Sequence, residues 1–228
     1  MLRFAALAIA CLAAAPALAD WDKAKLDREI AGIERDSKGR LGVALIDLKD
    51  RTTWSHRGGE HFPLQSVFKL PLAVAVLQAV EAGTLRLDQP VTVTRKDLSL
   101  YHSPLATRFK GERQEVPLRE LVRLATAESD NTAADLLMRL IGGPQILTAM
   151  LKAGGVVGIS VDRYERVFQP EILGLPGYGW DETIDTKAFR AKVQAVPAAE
   201  RRKRLEATLS DRRDAATPDA SVAFLEAF

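Results

Sequence analysis

The chain has 228 residues, 47% of them hydrophobic and 27% charged, with 32 Lys and Arg against 30 Asp and Glu. That composition belongs to a globular protein with a sizeable core and argues against disorder, collagen-like sequence or a coiled coil. A formal net charge of +2 gives no case for a nucleic-acid partner. Three His and a single Cys, with no His-Glu-x-x-His or paired-Cys spacing, give none for a metal site.

Residues 1–19 read as a secretory signal peptide. Met1-Leu2-Arg3 is a short basic start, Phe4 to Ala15 is apolar, and Ala17-Leu18-Ala19 is a small-x-small cleavage signal before Asp20. The apolar run is too short to span a bilayer, so no membrane attachment is expected after cleavage. Cleavage removes the only cysteine, Cys11, and leaves a mature chain stabilised by its core without disulfides. The domain then covers residues 20–228.

Leu26, Ile30 and Ile33 lie at helical spacing in Trp21 to Arg35. Leu41 to Leu48 and Thr52 to His56, around the polar Lys49-Asp50-Arg51, read as two hairpin strands before Gly58-Gly59. Ser66 to Ala82 is apolar nearly all round, which predicts a buried helix closed by Gly83. Leu118 to Leu124 and Thr132 to Ile141 are amphipathic helices flanking Ser129-Asp130-Asn131, and a short helix follows over Gln145 to Lys152. Residues 170–186 read as loop and Lys187 to Leu209 as a charged helix. Thr217 caps a last helix that has Pro218 at its first position and is still in mid-pattern at Phe228.

Ser66 and Lys69 are three apart, so their side chains share a helix face. A lysine with a lowered pKa can take the proton that makes a serine hydroxyl nucleophilic, and a helix start offers N–H groups to an oxyanion. The same four residues also fit a capping serine and a solvated lysine, although Lys69 stands among Phe68, Leu70 and Leu72. Ser129-Asp130-Asn131 can cap a helix, or supply a second hydroxyl and an amide to a site. Tyr101-His102-Ser103-Pro104 is a cleft wall or a turn, and Glu165 is a general base or a surface carboxylate.

Taken together, Phe62-Pro-Leu-Gln-Ser-Val-Phe-Lys69, Ser129-Asp-Asn-Thr-Ala133 and Asp162-Arg-Tyr-Glu165 resemble the class A serine β-lactamases in order and spacing. Val80 to Asp88, Tyr101 to Pro104 and Asp211 to Pro218 extend the likeness over residues 20–228, with an insertion at about 172–210. The resemblance implies an α/β fold (α+β, two lobes) with an antiparallel sheet flanked by helices plus an all-helical lobe. It implies a periplasmic or secreted monomer that takes a small-molecule β-lactam and needs no cofactor and no metal. Ser66 would be the acylated nucleophile, Lys69 its proton partner, Ser129 the donor to the leaving nitrogen and Glu165 the base that activates the deacylating water. Asn131 would contact the substrate amide, Tyr101 would wall the cleft, and Gln169 stands where the family usually has Asn. Arg163 would close the loop neck by pairing with Asp214. Glu165 is expected to be the base rather than Glu171, which follows Pro170 with no evident anchor.

No Lys-Thr-Gly occurs in the chain, although the family pattern places it on a core strand. Because Ser66, Lys69, Ser129 and Glu165 are all retained, we read the sequence as an incomplete open reading frame with its C-terminal strands and helix missing and its sheet unfinished. The alternatives are a penicillin-binding D,D-peptidase-like protein, against which Arg163-Tyr-Glu165 argues, and an inactive truncated fragment. The basic run Arg201-Arg-Lys-Arg204, with Glu200 and Glu206 beside it, reads as a solvated helix face. Export gives the first testable expectation: N-terminal sequencing of the protein from a periplasmic or culture fraction should start at Asp20. Finding Met1 retained in membranes would overturn it.

Overall fold

The computed structural model describes residues 21–227, so the signal-peptide expectation for residues 1–19 lies outside the described residues. Two compact units divide at Leu41 and Gly42. The described part of the first is helix α1 (Lys23–Ser37), which starts where the Asp22 carboxylate accepts the Lys25 N–H at 2.8 Å. It ends where Lys38 turns left-handed at φ 53°.

The second unit opens with the expected hairpin, β1 (Val43–Ile46) antiparallel to β2 (Thr53–His56), with Val43 opposite His56 and Ile46 opposite Thr53. Strand β3 (Phe62–Pro63) leads into a 3₁₀ turn over Gln65–Phe68, which runs directly into α2 (Lys69–Glu81). A second hairpin joins β4 (Pro90–Thr94) to β5 (Arg113–Pro117), with α3 (Pro104–Arg108) in its connection. Helices α4 (Leu118–Ala127), α5 (Asn131–Leu140) and α6 (Pro144–Ala153) follow. After β6 (Ile159–Ser160) come α7 (Glu165–Glu171), α8 (Thr186–Ala195) and α9 (Ala198–Ser210). Strand β7 (Ala215–Ala216) pairs antiparallel with both β3 and β6, and α10 (Pro218–Ala227) follows it.

The apolar centre lies where α2 meets α4, α5 and α6. Leu72 and Val76 of α2, Leu118 and Leu121 of α4, Leu137 of α5 and Leu147 of α6 are all fully buried. Each such side chain taken from water contributes roughly 1.5–3 kcal/mol, which makes this cluster the anchor of the helical lobe. The hairpin β1–β2, backed by α10, belongs to an α/β lobe. The fold is therefore of the α+β two-lobe class, and among the described residues that lobe's sheet has the two strands β1 and β2. No helix among the described residues is long and apolar enough to cross a membrane.

Two helix expectations need correction. Helix α2 is not buried all round, because Leu70 and Leu77 are 47% and 44% exposed while Leu72 and Val76 face inward. The single helix expected over 187–209 is two helices, since Pro197 pushes Val196 out of helical geometry to ψ 125°. At the other end Thr217 caps α10 as read, its hydroxyl accepting the Ala220 N–H at 3.1 Å.

One joint of the helical lobe is made by a carboxylate. Asp135 of α5 is 1% exposed and accepts the N–H groups of Glu165 at 2.6 Å and Arg166 at 3.1 Å, which caps the start of α7. The Ser99 hydroxyl donates to the same carboxylate. Burial, against the pull of these donors, pushes the Asp135 carboxyl up to about 7. The folded chain thus holds this proton more tightly than the unfolded chain, so the stability that this one group contributes is full below 3.8 and is lost as pH rises through about 7. Asp135→Asn removes this titration. The variant should gain on the parent in Tm between pH 5 and pH 8, at roughly 2–4 °C per kcal/mol for a chain of this size. Parallel Tm curves in a pH series of thermal melts would remove Asp135 as the source.

Candidate active site

The 3₁₀ turn before α2 places the site. In such a turn residues three apart stand one above the other, so Ser66 lies over Lys69 at the start of the helix. Ser66 is exposed, whereas Lys69 is 2% exposed. Between α4 and α5 the backbone takes a left-handed step at Ser129, φ 55°, a conformation that holds only where the surroundings enforce it. Asp130 supplies the enforcement. Its buried carboxylate accepts N–H groups from Ala133 at 2.8 Å and Leu105 at 2.6 Å, and the Ser103 hydroxyl at 3.1 Å.

Ser129 Oγ donates to Ser66 Oγ at 3.0 Å. Lys69 Nζ donates to Ser129 O at 2.6 Å, to Ser129 Oγ at 3.1 Å and to Asn131 Oδ1 at 2.6 Å. All three ammonium protons thereby have an oxygen to go to. Asn131 is itself oriented, its Nδ2 donating to Leu100 O at 2.9 Å. The structure therefore brings Ser66, Lys69, Ser129 and Asn131 into one hydrogen-bonded group, and the solvated-lysine alternative for Lys69 falls away.

Glu165 opens α7 with its side chain 3% exposed and its Oε1 4.0 Å from Lys69 Nζ. Gln169, one turn on, donates to Glu165 Oε2 at 2.7 Å, so the longer amide reaches the carboxylate directly. Burial pushes the Glu165 carboxyl above its ordinary value and the Lys69 ammonium below its own, each in part opposed by the other's charge. A base and an acid tuned towards neutrality beside a serine hydroxyl can move a proton to or from it.

Arg163 and Asp214 close the loop neck. Arg163 Nε donates to Asp214 Oδ2 at 2.5 Å, while the N–H groups of Asp162 and Arg163 donate to Asp214 Oδ1 at 2.7 and 3.1 Å. Contrary to expectation Glu171 does have an anchor, since Arg163 Nη1 donates to its Oε2 at 2.8 Å. What separates the two glutamates is burial, 3% side-chain exposure for Glu165 against 37% for Glu171, together with the ammonium beside Glu165.

Sequence reasoning missed Arg166. This fully buried guanidinium donates to four main-chain carbonyls: Lys96 at 2.7 Å, Tyr178 at 3.3 Å, Gly179 at 2.7 Å and Glu182 at 3.0 Å. Its face also lies 4.5 Å from the Trp180 ring. It ties the segment after α7 to the helix that carries Glu165. Asp135 was missed in the same way, whereas Asp130 caps α5, one of the two roles read for Ser129-Asp130-Asn131. Tyr101 is 52% exposed, takes φ 63°, and meets the ring of Phe189 edge-on at 5.7 Å. Among the described residues no group of three His, Cys, Asp or Glu is placed to hold a metal ion. A cavity of about 560 Å³ lies beyond the neck, lined by Arg163, Glu171, Arg204 and Arg213, but none of the serine–lysine group lines it.

A family model described as the β-lactamase enzyme family matches residues 25–228. β-Lactamase L2 of Stenotrophomonas maltophilia is 36% identical over 75% of this chain and 54% of its own length. β-Lactamase Toho-2 of Escherichia coli is 38% identical over 77% of this chain and 60% of its own. The chain thus spans between about half and three fifths of these curated relatives. Among solved structures, a β-lactamase from Xanthomonas campestris matches at TM-score 0.66 and 32% identity, covering 89% of this chain and 61% of that one. An ancestral class A β-lactamase of Gram-negative bacteria matches at TM-score 0.65 and 34% identity, over 88% and 62%. With its serine–lysine pair, Ser-Asp-Asn step and buried glutamate in the order the motifs require, the chain belongs to the β-lactamase enzyme family, in its class A serine group.

Proposed function

We propose that this protein hydrolyses β-lactams through an acyl-enzyme on Ser66. The observation that carries the reading is the chain Ser66 Oγ–Ser129 Oγ–Lys69 Nζ, with the buried Glu165 carboxylate 4.0 Å from the same ammonium. Ser66 Oγ attacks the lactam carbonyl and gives up its proton to the Lys69–Glu165 pair. The C–N bond then breaks as Ser129 delivers its proton to the departing nitrogen and is resupplied, through Lys69 Nζ, with the proton that Ser66 gave to the pair, which leaves Glu165 ionised. Glu165 next takes a proton from a water, whose oxygen attacks the ester carbon, and the returned proton regenerates the Ser66 hydroxyl. Asn131, held by Leu100, would meet the amide of the substrate side chain, and Tyr101 would flank the cleft. Gln169 would orient the Glu165 carboxylate rather than the water alone. We further propose that residues 20–228 belong to a β-lactamase-like domain with an insertion at about 172–210, acting as a monomer in the periplasm or outside the cell, with no nucleic-acid partner.

Deacylation needs Glu165 ionised. Because burial lifts its carboxyl above the ordinary 4.5, hydrolysis should fall away on the acid side at a pH above 4.5. Lys69, lowered from 10.5, should set an alkaline limb below that value if it must change protonation in turnover. A kcat profile with its acid limb at or below 4.5 would contradict this.

Glu165→Gln should leave β-lactam binding in place and slow turnover by about 10²–10⁴-fold, so that an acyl adduct on Ser66 builds up in intact mass spectra. Glu171→Gln should turn over within a few-fold of the parent and lose about 0–1 kcal/mol of stability with its half-exposed ion pair. The reverse pattern would exchange the roles of the two glutamates. A long-lived adduct on Ser66 in the parent itself, with slow cleavage of a D-Ala-D-Ala peptide, would favour the D,D-peptidase reading.

A further inference from the structure

The mechanism makes no use of the cavity beyond the loop neck. Its volume of about 560 Å³ lies within the roughly 300–1,000 Å³ of pockets that take a small ligand. One wall is the side of α9 that carries Arg204, Ala207 and Thr208 and runs on to Asp211, residues three or four apart as one helix face requires. The facing wall is the end of α7 with residues 174–176, where Ile172, Leu175 and Pro176 give it an apolar part. The two walls meet at Gly174, φ 82°, where a Cβ would lie 3.6 Å from Arg204 Cγ. The stem of Arg204 is thereby packed against the segment that follows α7.

Three guanidinium groups line the cavity, Arg163, Arg204 and Arg213, against two carboxylates, Glu171 and Asp211. Both carboxylates are already engaged. Glu171 accepts Arg163 Nη1 at 2.8 Å, and Asp211 accepts Nε and Nη2 of Arg213 at 2.8–3.2 Å. Each guanidinium keeps a donor to spare. Arg204 pairs with Glu200 through Nε at 2.8 Å, which leaves its terminal nitrogens, and Arg213 leaves its Nη1. Arg163 Nη2 belongs to a side chain 9% exposed, stands 3.5 Å from Asp211 Oδ2 and makes no hydrogen bond. One turn before Arg204 on α9, Arg201 Nε is also buried without a hydrogen-bond partner. Buried donors are nearly always paired, and one that is not marks a place for water or an ion. We infer that this cavity binds a small organic oxyanion, its phosphate or carboxylate head held by the guanidinium groups and its apolar body against Ile172, Leu175 and Pro176. Guanidinium forks match the paired oxygens of either head. The ligand shares Arg163 with the neck, where the same side chain holds Asp214 two residues before Glu165.

Binding is tested on the full chain without any β-lactam, so the result stands apart from the reading of Ser66. Phenyl phosphate and benzoate are titrated by NMR at constant ionic strength. Inorganic phosphate and acetate are the controls without a ring, and phenol is the control without a charge. At least one aryl anion should shift the amide signals of Gly174, Arg204 and Thr208 to saturation and bind more tightly than every control. The tighter of the two identifies the head group. Arg204→Gln should weaken it about tenfold or more, the loss expected for a charge-assisted contact. Arg202→Gln removes the same charge from an exposed position on α9 outside the cavity and should leave binding within about twofold. Ala207→Trp fills the cavity from an exposed position and should weaken binding as Arg204→Gln does, so a folding defect in one variant does not decide the outcome. A response that never saturates, or equal losses in Arg202→Gln and Arg204→Gln, assigns the effect to the general basic surface of α9 and overturns the site. Phenol, acetate or inorganic phosphate binding as tightly as the aryl anions overturns the ligand class.

Discussion

A lysine ammonium buried to 2% exposure sets the terms for everything around it. An isolated buried cation loses several kcal/mol of hydration, and it persists only where oxygen atoms replace the water lost. Ser129 and Asn131 supply three such contacts and Glu165 the opposing charge. The left-handed step at Ser129, the cap of α5 by Asp130 and the start of α7 at Glu165 all serve to bring those oxygens to one point. The arrangement that neutralises Lys69 also places a second hydroxyl on Ser66 and a base beside it. In this protein the stability of the cation and the chemistry of the serine are the same problem.

The means used to hold these groups are consistent. Asp130, Asp135 and Asp214 each accept two or more donors, most of them main-chain N–H groups, and Arg166 donates to four main-chain carbonyls. Charged side chains thus fix loops and helix ends where no regular ladder could. Such buried polar joints are rigid when every partner is present and expensive when one is missing, which concentrates the tolerance to change elsewhere, on the exposed face of α9 for instance.

The reactive group was legible in sequence because its members lie in short motifs, and local helix geometry carries most of the information: Ser66 and Lys69 sit on one turn, and Ser129 and Asn131 are two apart. The hairpin β1–β2, the main helices and the pairing of Arg163 with Asp214 could be read for similar reasons, from alternation, spacing and ordered likeness. The strands β3, β6 and β7 could not, because they are two residues long and owe their pairing to each other, not to any local pattern. Arg166 escaped notice because its partners are carbonyls, which have no side-chain signature. The packing of Phe189 on Tyr101 lay hidden in a stretch whose charges drew attention to its solvated face.

Closing the neck with Arg163 and Asp214 has a thermodynamic side as well. The two residues stand 51 apart, and without the segment 172–210 only about a dozen residues would separate them. The entropy of closing a loop grows with the logarithm of its length, about 0.6 kcal/mol per doubling, so a fourfold longer loop costs only about 1.2 kcal/mol more. Two helices that bring their own contacts can offset that amount. The neck is in this sense a place where chain length can vary widely while the carboxylate two residues beyond Arg163 stays where it is.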